Sequence, residues 1–105
     1  MSIIKDLTKL GFRGLKSSRA ESRNLDDSKI DIAETEDTLS CYIQCKATKN
    51  IPPISTIMEE CDRKDRPLVI FWKKQESSDK IKEFVTMPKE YFYKLLKAYE
   101  NNQNN

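Results

Sequence analysis

Histidine is absent from this chain of 105 residues, which excludes every triad, general base or zinc site that needs an imidazole. Cysteine is scarce. Cys41, Cys45 and Cys61 are an odd count with no C-x-x-C pair, which argues against a disulfide scaffold and fits a reduced, intracellular (cytoplasmic) setting. Only two glycines and four prolines are present, too few for a disordered linker or a fibrous repeat. There is no P-loop, no G-x-G-x-x-G and no G-x-S-x-G, so the common phosphate-cradling and serine-nucleophile signatures are missing. No apolar run is long enough to cross a bilayer, the longest being Pro67 to Trp72. The start, Met1 to Asp6, is interrupted by charge at once, unlike a secretion signal.

What remains is an ordinary globular composition, 37% hydrophobic and 34% charged, with a formal net charge of +2. So small a charge does not by itself announce a nucleic-acid binder. Its distribution says more, because Lys5, Lys9, Arg13, Lys16, Arg19 and Arg23 outnumber the acids before Lys29. The length suits one domain with one core, residues 1–100, followed by a polar tail over 101–105 that is expected to fray.

Hydrophobic period organises the chain. Ile3, Leu7 and Leu10 form a helical stripe with Ile4 beside it, and Gly11 is the expected stop. Phe12 to Leu15 can form a short strand, and the polar cluster Ser17 to Asn24 reads as a surface loop. Ile30 to Ala33 begins a strand that ends at the acidic turn Glu34 to Asp37. The clearest segment follows: Leu39, Cys41, Ile43 and Cys45 alternate with Ser40, Tyr42, Gln44 and Lys46, the period of two of a strand. Cys41 and Cys45 therefore read as strand-core thiols. Pro52-Pro53 ends that element. Thr56 and Glu59 have capping-box spacing for a helix that buries Ile57, Met58 and Cys61. Leu68 to Trp72 reads as a buried strand, and Ile81, Phe84 and Val85 as another. Pro88 suits the first position of a closing helix whose stripe is Phe92, Leu95, Leu96 and Tyr99. The expected class is α+β, a small mixed sheet flanked by helices.

One constellation can carry chemistry. If the strand at Ile30 pairs with the strand at Leu39 through the acidic turn, Asp31 comes near the face presenting Gln44 and Lys46. A carboxylate, an amide oxygen and an ammonium would then converge. Asp31 suits Mg²⁺, a hard cation that takes oxygen ligands, with the Gln44 side chain or the Cys45 carbonyl as a further ligand. Lys46 would orient a water or offset charge growing on a phosphate. Such a trio also arises by chance. Lys16, Arg19 and Arg23 read two ways as well, as phosphate contacts or as the solvated side of a loop.

Lys29-Ile30-Asp31-Ile32 followed by Tyr42-Ile43-Gln44-Cys45-Lys46-Ala47 resembles the core of the PD-(D/E)xK (restriction-endonuclease-like) nucleases. The branch it is most similar to is the Holliday-junction resolvases of archaea and bacteriophages. Gly11-Phe12, Arg13, Ser17-Ser18, Asp31 and Gln44-Cys45-Lys46 stand where those proteins carry their short motifs. The resemblance implies a Mg²⁺- or Mn²⁺-dependent DNA endonuclease of recombination, commonly a homodimer on branched DNA. It would make Asp31, Gln44 and Cys45 metal ligands, Lys46 the catalytic lysine, and Lys16, Arg19, Arg23 and Lys49 the contacts to DNA. Gln44 replaces the usual glutamate. The glutamate of the family's first helix has no match, since Asp6 is too close to Gly11. Glu21 would then complete the site from the loop, or the chain is a shortened relative, a nuclease fold that binds DNA or protein without cutting.

Overall fold

The computed structural model describes residues 2–17, 30–34 and 39–103. Helix α1 (Ser2–Lys9) leads to the strand β1 (Leu15–Ser17), and β2 is Ile32–Glu34. Then come β3 (Tyr42–Thr48), helix α2 (Ile54–Glu60), β4 (Leu68–Lys74), β5 (Glu83–Thr86) and helix α3 (Lys89–Gln103).

Gly11 stops α1 as expected. Its φ of 104° lies in the left-handed region, open to a residue without Cβ. There Gly11 N–H donates to Thr8 C=O and Phe12 N–H to Leu7 C=O, both at 3.1 Å, so two carbonyls of the last turn are satisfied. Ile3, Ile4 and Leu7 turn inward. Leu10, expected on that stripe, is 74% exposed, because the chain has already left the helix there.

The strands form two groups. β1 and β2 make an antiparallel ribbon, with Lys16 opposite Ala33. The main sheet has the order β3-β4-β5. β3 and β4 run parallel, with Gln44 beside Ile70 and Lys46 beside Trp72. β5 returns antiparallel, with Trp72 opposite Phe84. A parallel pair cannot be closed by a hairpin, and α2 lies in the crossover between β3 and β4. This is the expected small α+β domain with a mixed sheet flanked by helices.

The sheet is covered on both faces. On one, Ile57 and Cys61 from α2 and its end pack with Ile30, Leu68 and Ile70, joined by Tyr42, Ile54 and Met58. On the other, Leu15, Ile32 and Ile43 gather Ile3, Leu7, Phe12, Cys45 and Phe71. The loop after α2 clasps the start of β3. Tyr42 donates its hydroxyl to both carboxylate oxygens of Asp65, at 2.8 and 2.9 Å. The Arg66 guanidinium sits 5.4 Å from the Tyr42 ring centre and donates to Leu39 C=O at 2.9 Å. Burial, and then the Asp65 carboxylate it donates to, hold the Tyr42 hydroxyl above its usual pKa.

Several local expectations are corrected. The short strand is Leu15–Ser17, later than residues 12–15, because Gly14 also has positive φ, 71°. Thr56 caps nothing: α2 begins at Ile54 with Pro53 ahead of it and no side-chain cap, and Ile57 N–H donates to Pro53 C=O at 3.0 Å. Pro88 precedes α3 and offers its carbonyl to Tyr91 and Phe92 N–H, at 3.0 and 3.2 Å. The helix continues through Asn101, Asn102 and Gln103, further than the tail was expected to be ordered. Its apolar stripe is not buried, since Phe92, Leu95, Leu96 and Tyr99 are 41–61% exposed. Ile81 is 69% exposed and lies outside β5. Among the described residues no helix is long and apolar enough to cross a membrane.

Candidate functional site

Ile30 belongs to the core under α2 and Ile32 to the core under α1. The chain therefore crosses the outer edge of β3 at the residue between them, Asp31. Two bonds fix that crossing. Asp31 N–H donates to Ile43 C=O at 2.8 Å, and Cys45 N–H donates to Asp31 Oδ2 at 2.7 Å. The carboxylate thus takes the place that a neighbouring strand's carbonyl would fill. A strand residue sends its N–H and C=O to the same edge, so the Cys45 carbonyl also leaves β3 on the Asp31 side.

The expected hairpin between the second strand and β3 does not form in that way. β2 pairs with β1, and β3 takes β4 as its ladder partner. Asp31 nevertheless reaches β3, at the middle residue of Gln44-Cys45-Lys46. Of the intervening turn, expected over Glu34 to Asp37, Glu34 instead ends β2, and the rest lies outside the described residues.

Gln44 is buried, 6% exposed, in the row shared with Ile70 and Thr86. Its Oε1 has no hydrogen-bond donor. A buried amide oxygen left in this way costs about 1–3 kcal/mol, and a donor or a cation would relieve it. Lys46, half-buried, continues the same face in the next row, beside Trp72 and, one strand further, Phe84. Those two rings stack with centroids 5.3 Å apart. Trp72 Nε1 donates to the Thr48 carbonyl at 3.1 Å and to its hydroxyl at 2.9 Å, which fixes the indole beside the lysine.

The Cys45 thiol is pushed up to about 11, by burial first and then by the Asp31 carboxylate. It stays protonated at neutral pH and is no nucleophile or thiolate ligand. Only its backbone takes part in the site. Cys41 and Cys61 are likewise free thiols.

A hollow of about 340 Å³ opens between α1 and the end of the sheet, lined mainly from the α1 side by Ile3, Asp6, Cys45, Ala47, Phe71 and Val85, and also by Lys46, Trp72, Lys73, Glu83 and Phe84. Asp6, set aside in the sequence because of its distance from Gly11, is thus brought to the hollow by α1. Trp72, Phe84 and Glu83 were likewise given no part in the metal site. The signal for the aromatic pair was present, an aromatic at the end of an apolar strand and another in its return strand. No period links Asp6 to Lys46.

The remaining sequence candidates are dispersed. Lys16 is exposed on β1. Lys49, beyond the end of β3, pairs with Glu76 at 3.6 Å, both side chains well exposed, a contact of little energetic weight. Arg19, Glu21 and Arg23 lie outside the described residues. Among the described residues, no three acidic, cysteine or histidine side chains gather as a metal group. What meets at Cys45 is its own N–H and the Asp31 carboxylate, while the Gln44 amide lies on the α2 side of the sheet beside Ile70. No family model, curated protein or solved structure matches the chain.

Proposed function

We propose that the chain is a metal-dependent DNA endonuclease of the PD-(D/E)xK kind, acting at the β3 edge, with branched DNA such as a Holliday junction as its substrate class. The observation that carries this reading is the 2.7 Å bond between Cys45 N–H and Asp31 Oδ2. It sets a carboxylate against the residue that separates Gln44 from Lys46.

The donor set fits Mg²⁺ or Mn²⁺. Asp31 offers a carboxylate, Cys45 a backbone carbonyl at the same edge, and Gln44 an amide oxygen with no other donor, all hard oxygen ligands. A divalent cation bound there supplies charge for a phosphate and lowers the pKa of a coordinated water. The protein's own part is positioning. Cys45 N–H holds the Asp31 carboxylate at one orientation, and the Lys46 ammonium meets negative charge that develops on the scissile phosphate. Gln44 contributes no charge, so the site binds a cation more weakly than one built with glutamate, and DNA phosphates would add the missing negative charge.

A second reading, a nuclease fold that binds DNA without cutting, is favoured by that neutral amide and by the lack of three gathered acids among the described residues. Incubation of the purified chain with four-way, flapped and linear DNA, with Mg²⁺ or Mn²⁺, separates the two. Cleavage lost in Asp31→Asn and Lys46→Ala supports the enzyme. Intact DNA of every form, bound in a salt-dependent way, supports the binding module.

A further inference from the structure

Helix α3 contributes no residue to either core. Its first turn is tethered by the hydrogen bond between the Tyr91 and Ser40 hydroxyls, and beyond Tyr91 every residue through Asn102 is exposed. A lone helix of fifteen residues is marginal in water unless an apolar face is packed. This one has such a face. At 100° per residue Leu95, Tyr99, Phe92 and Leu96 form one stripe, with Tyr93 at its margin. Their exposures run from 41% to 61%. With side chains of this size the stripe leaves roughly 500 Å² of open surface.

We infer that α3 pairs with α3 of a second copy of this chain, antiparallel across a two-fold axis. The area supports this, because the stripe counted twice reaches about 1,000 Å², the lower bound for a specific interface. Charge then selects the occupant and the direction. Lys89 and Glu100 lie on the same flank of the stripe, roughly 16 Å apart along the axis at 1.5 Å per residue. In an antiparallel helix pair each flank faces its own counterpart, so Lys89 of one copy meets Glu100 of the other, twice. A parallel pair would set that flank against Tyr91 and Asn102, which carry no acid. Lys89 is already held on the flank, its Nζ 5.9 Å from the centre of the Tyr93 ring. The inference stands on α3 alone; the nuclease resemblance implies a homodimer but assigns it no face.

Sedimentation equilibrium of the full chain, over about 1 µM to 1 mM, tests it. A two-copy species with a Kd on the order of 10 µM is expected, as befits a small interface. Leu95→Glu should sediment as a single copy while keeping, at dilutions where the wild type is also single, the wild-type urea midpoint, since α3 is outside both cores. Lys89→Glu should weaken pairing at least about tenfold, and Lys89→Glu with Glu100→Lys should restore it. A wild-type chain that stays single over the whole range overturns the inference, as does a double variant no tighter than Lys89→Glu alone. A single copy that floats with anionic phospholipid vesicles also overturns it, and assigns the stripe to a lipid surface.

Discussion

Ile30 and Ile32 are neighbours but one in the chain, yet they are buried in different cores on opposite faces of the sheet. A continuous strand would have put both side chains on one face. The turnover happens at Asp31, whose two bonds to β3 take the place of a regular ladder. Both ends of the crossing are anchored by apolar burial, and the carboxylate is held between them.

Double-mutant cycles should reveal this separation. Ile30→Ala and Ile57→Ala, in one core, should each cost about 2–5 kcal/mol and couple by more than about 0.5 kcal/mol. Ile32→Ala and Ile57→Ala, in different cores, should add within about 0.5 kcal/mol. Urea unfolding provides the measurement, and strong coupling of the second pair would show a single merged core.

The Asp31 carboxylate should divide structural from chemical roles. Asp31→Asn keeps an oxygen for Cys45 N–H and should unfold close to wild type. Asp31→Ala leaves that N–H without its partner and should cost about 1–3 kcal/mol. Equal stabilities for the two variants would mean that the bond contributes nothing to the fold.

Gln44 gives a test of metal affinity that does not need turnover. Gln44→Leu removes the unpaired oxygen and should be neutral or stabilising, by up to about 2 kcal/mol. Gln44→Glu buries a carboxyl group and should destabilise the protein without divalent cation. Added Mn²⁺ should then raise its Tm by several degrees, through preferential binding to the folded state. A Tm indifferent to Mn²⁺ in both Gln44→Glu and wild type would count against a cation at this edge.

The Cys45 thiol predicts a pH dependence with a definite sign. Its pKa rises from 9.0 to about 11 on folding. The unfolded thiol therefore loses its proton first, and the stabilisation present below pH 9 fades as pH climbs through about 11. The stability difference between wild type and Cys45→Ala should shift in that window, against wild type, in urea titrations at successive pH values. A constant difference from pH 8 to 11 would contradict the burial of this thiol.

Much of the fold was legible in local pattern. The alternation of Leu39, Cys41, Ile43 and Cys45 names the face that meets α1, and the unbroken run Leu68 to Trp72 marks the strand covered on both sides. What period cannot carry is partnership. A hairpin of β3 with its predecessor was the condition for bringing Asp31 to Gln44 and Lys46, but the ladder partner of β3 is β4, reached through a helical crossover. The burial of Gln44 is illegible for the same reason, because it is the arrival of α2 and β4 that covers its row. Thr56 carried a capping signature that Pro53 pre-empted by starting the helix three residues earlier. The stripe on α3 was read correctly as apolar, but no described residue of the two cores packs on it, and it stays 41–61% exposed. Asp31 was rightly brought to Gln44-Cys45-Lys46, although by a route across the edge that no hairpin rule describes.

The clasp at Cys45 has an engineering consequence. Asp31 owes its place to the strand it leans on and not to the ladder that begins one residue later. The surface charge of the β1–β2 ribbon, as at the exposed Lys16, can therefore be changed so long as Ile32 stays buried, while the acid keeps its bond to Cys45. Shifting β3 by a single residue would instead turn every side chain of the strand to the other face, taking Ile43 out of its core and putting Gln44 in its place.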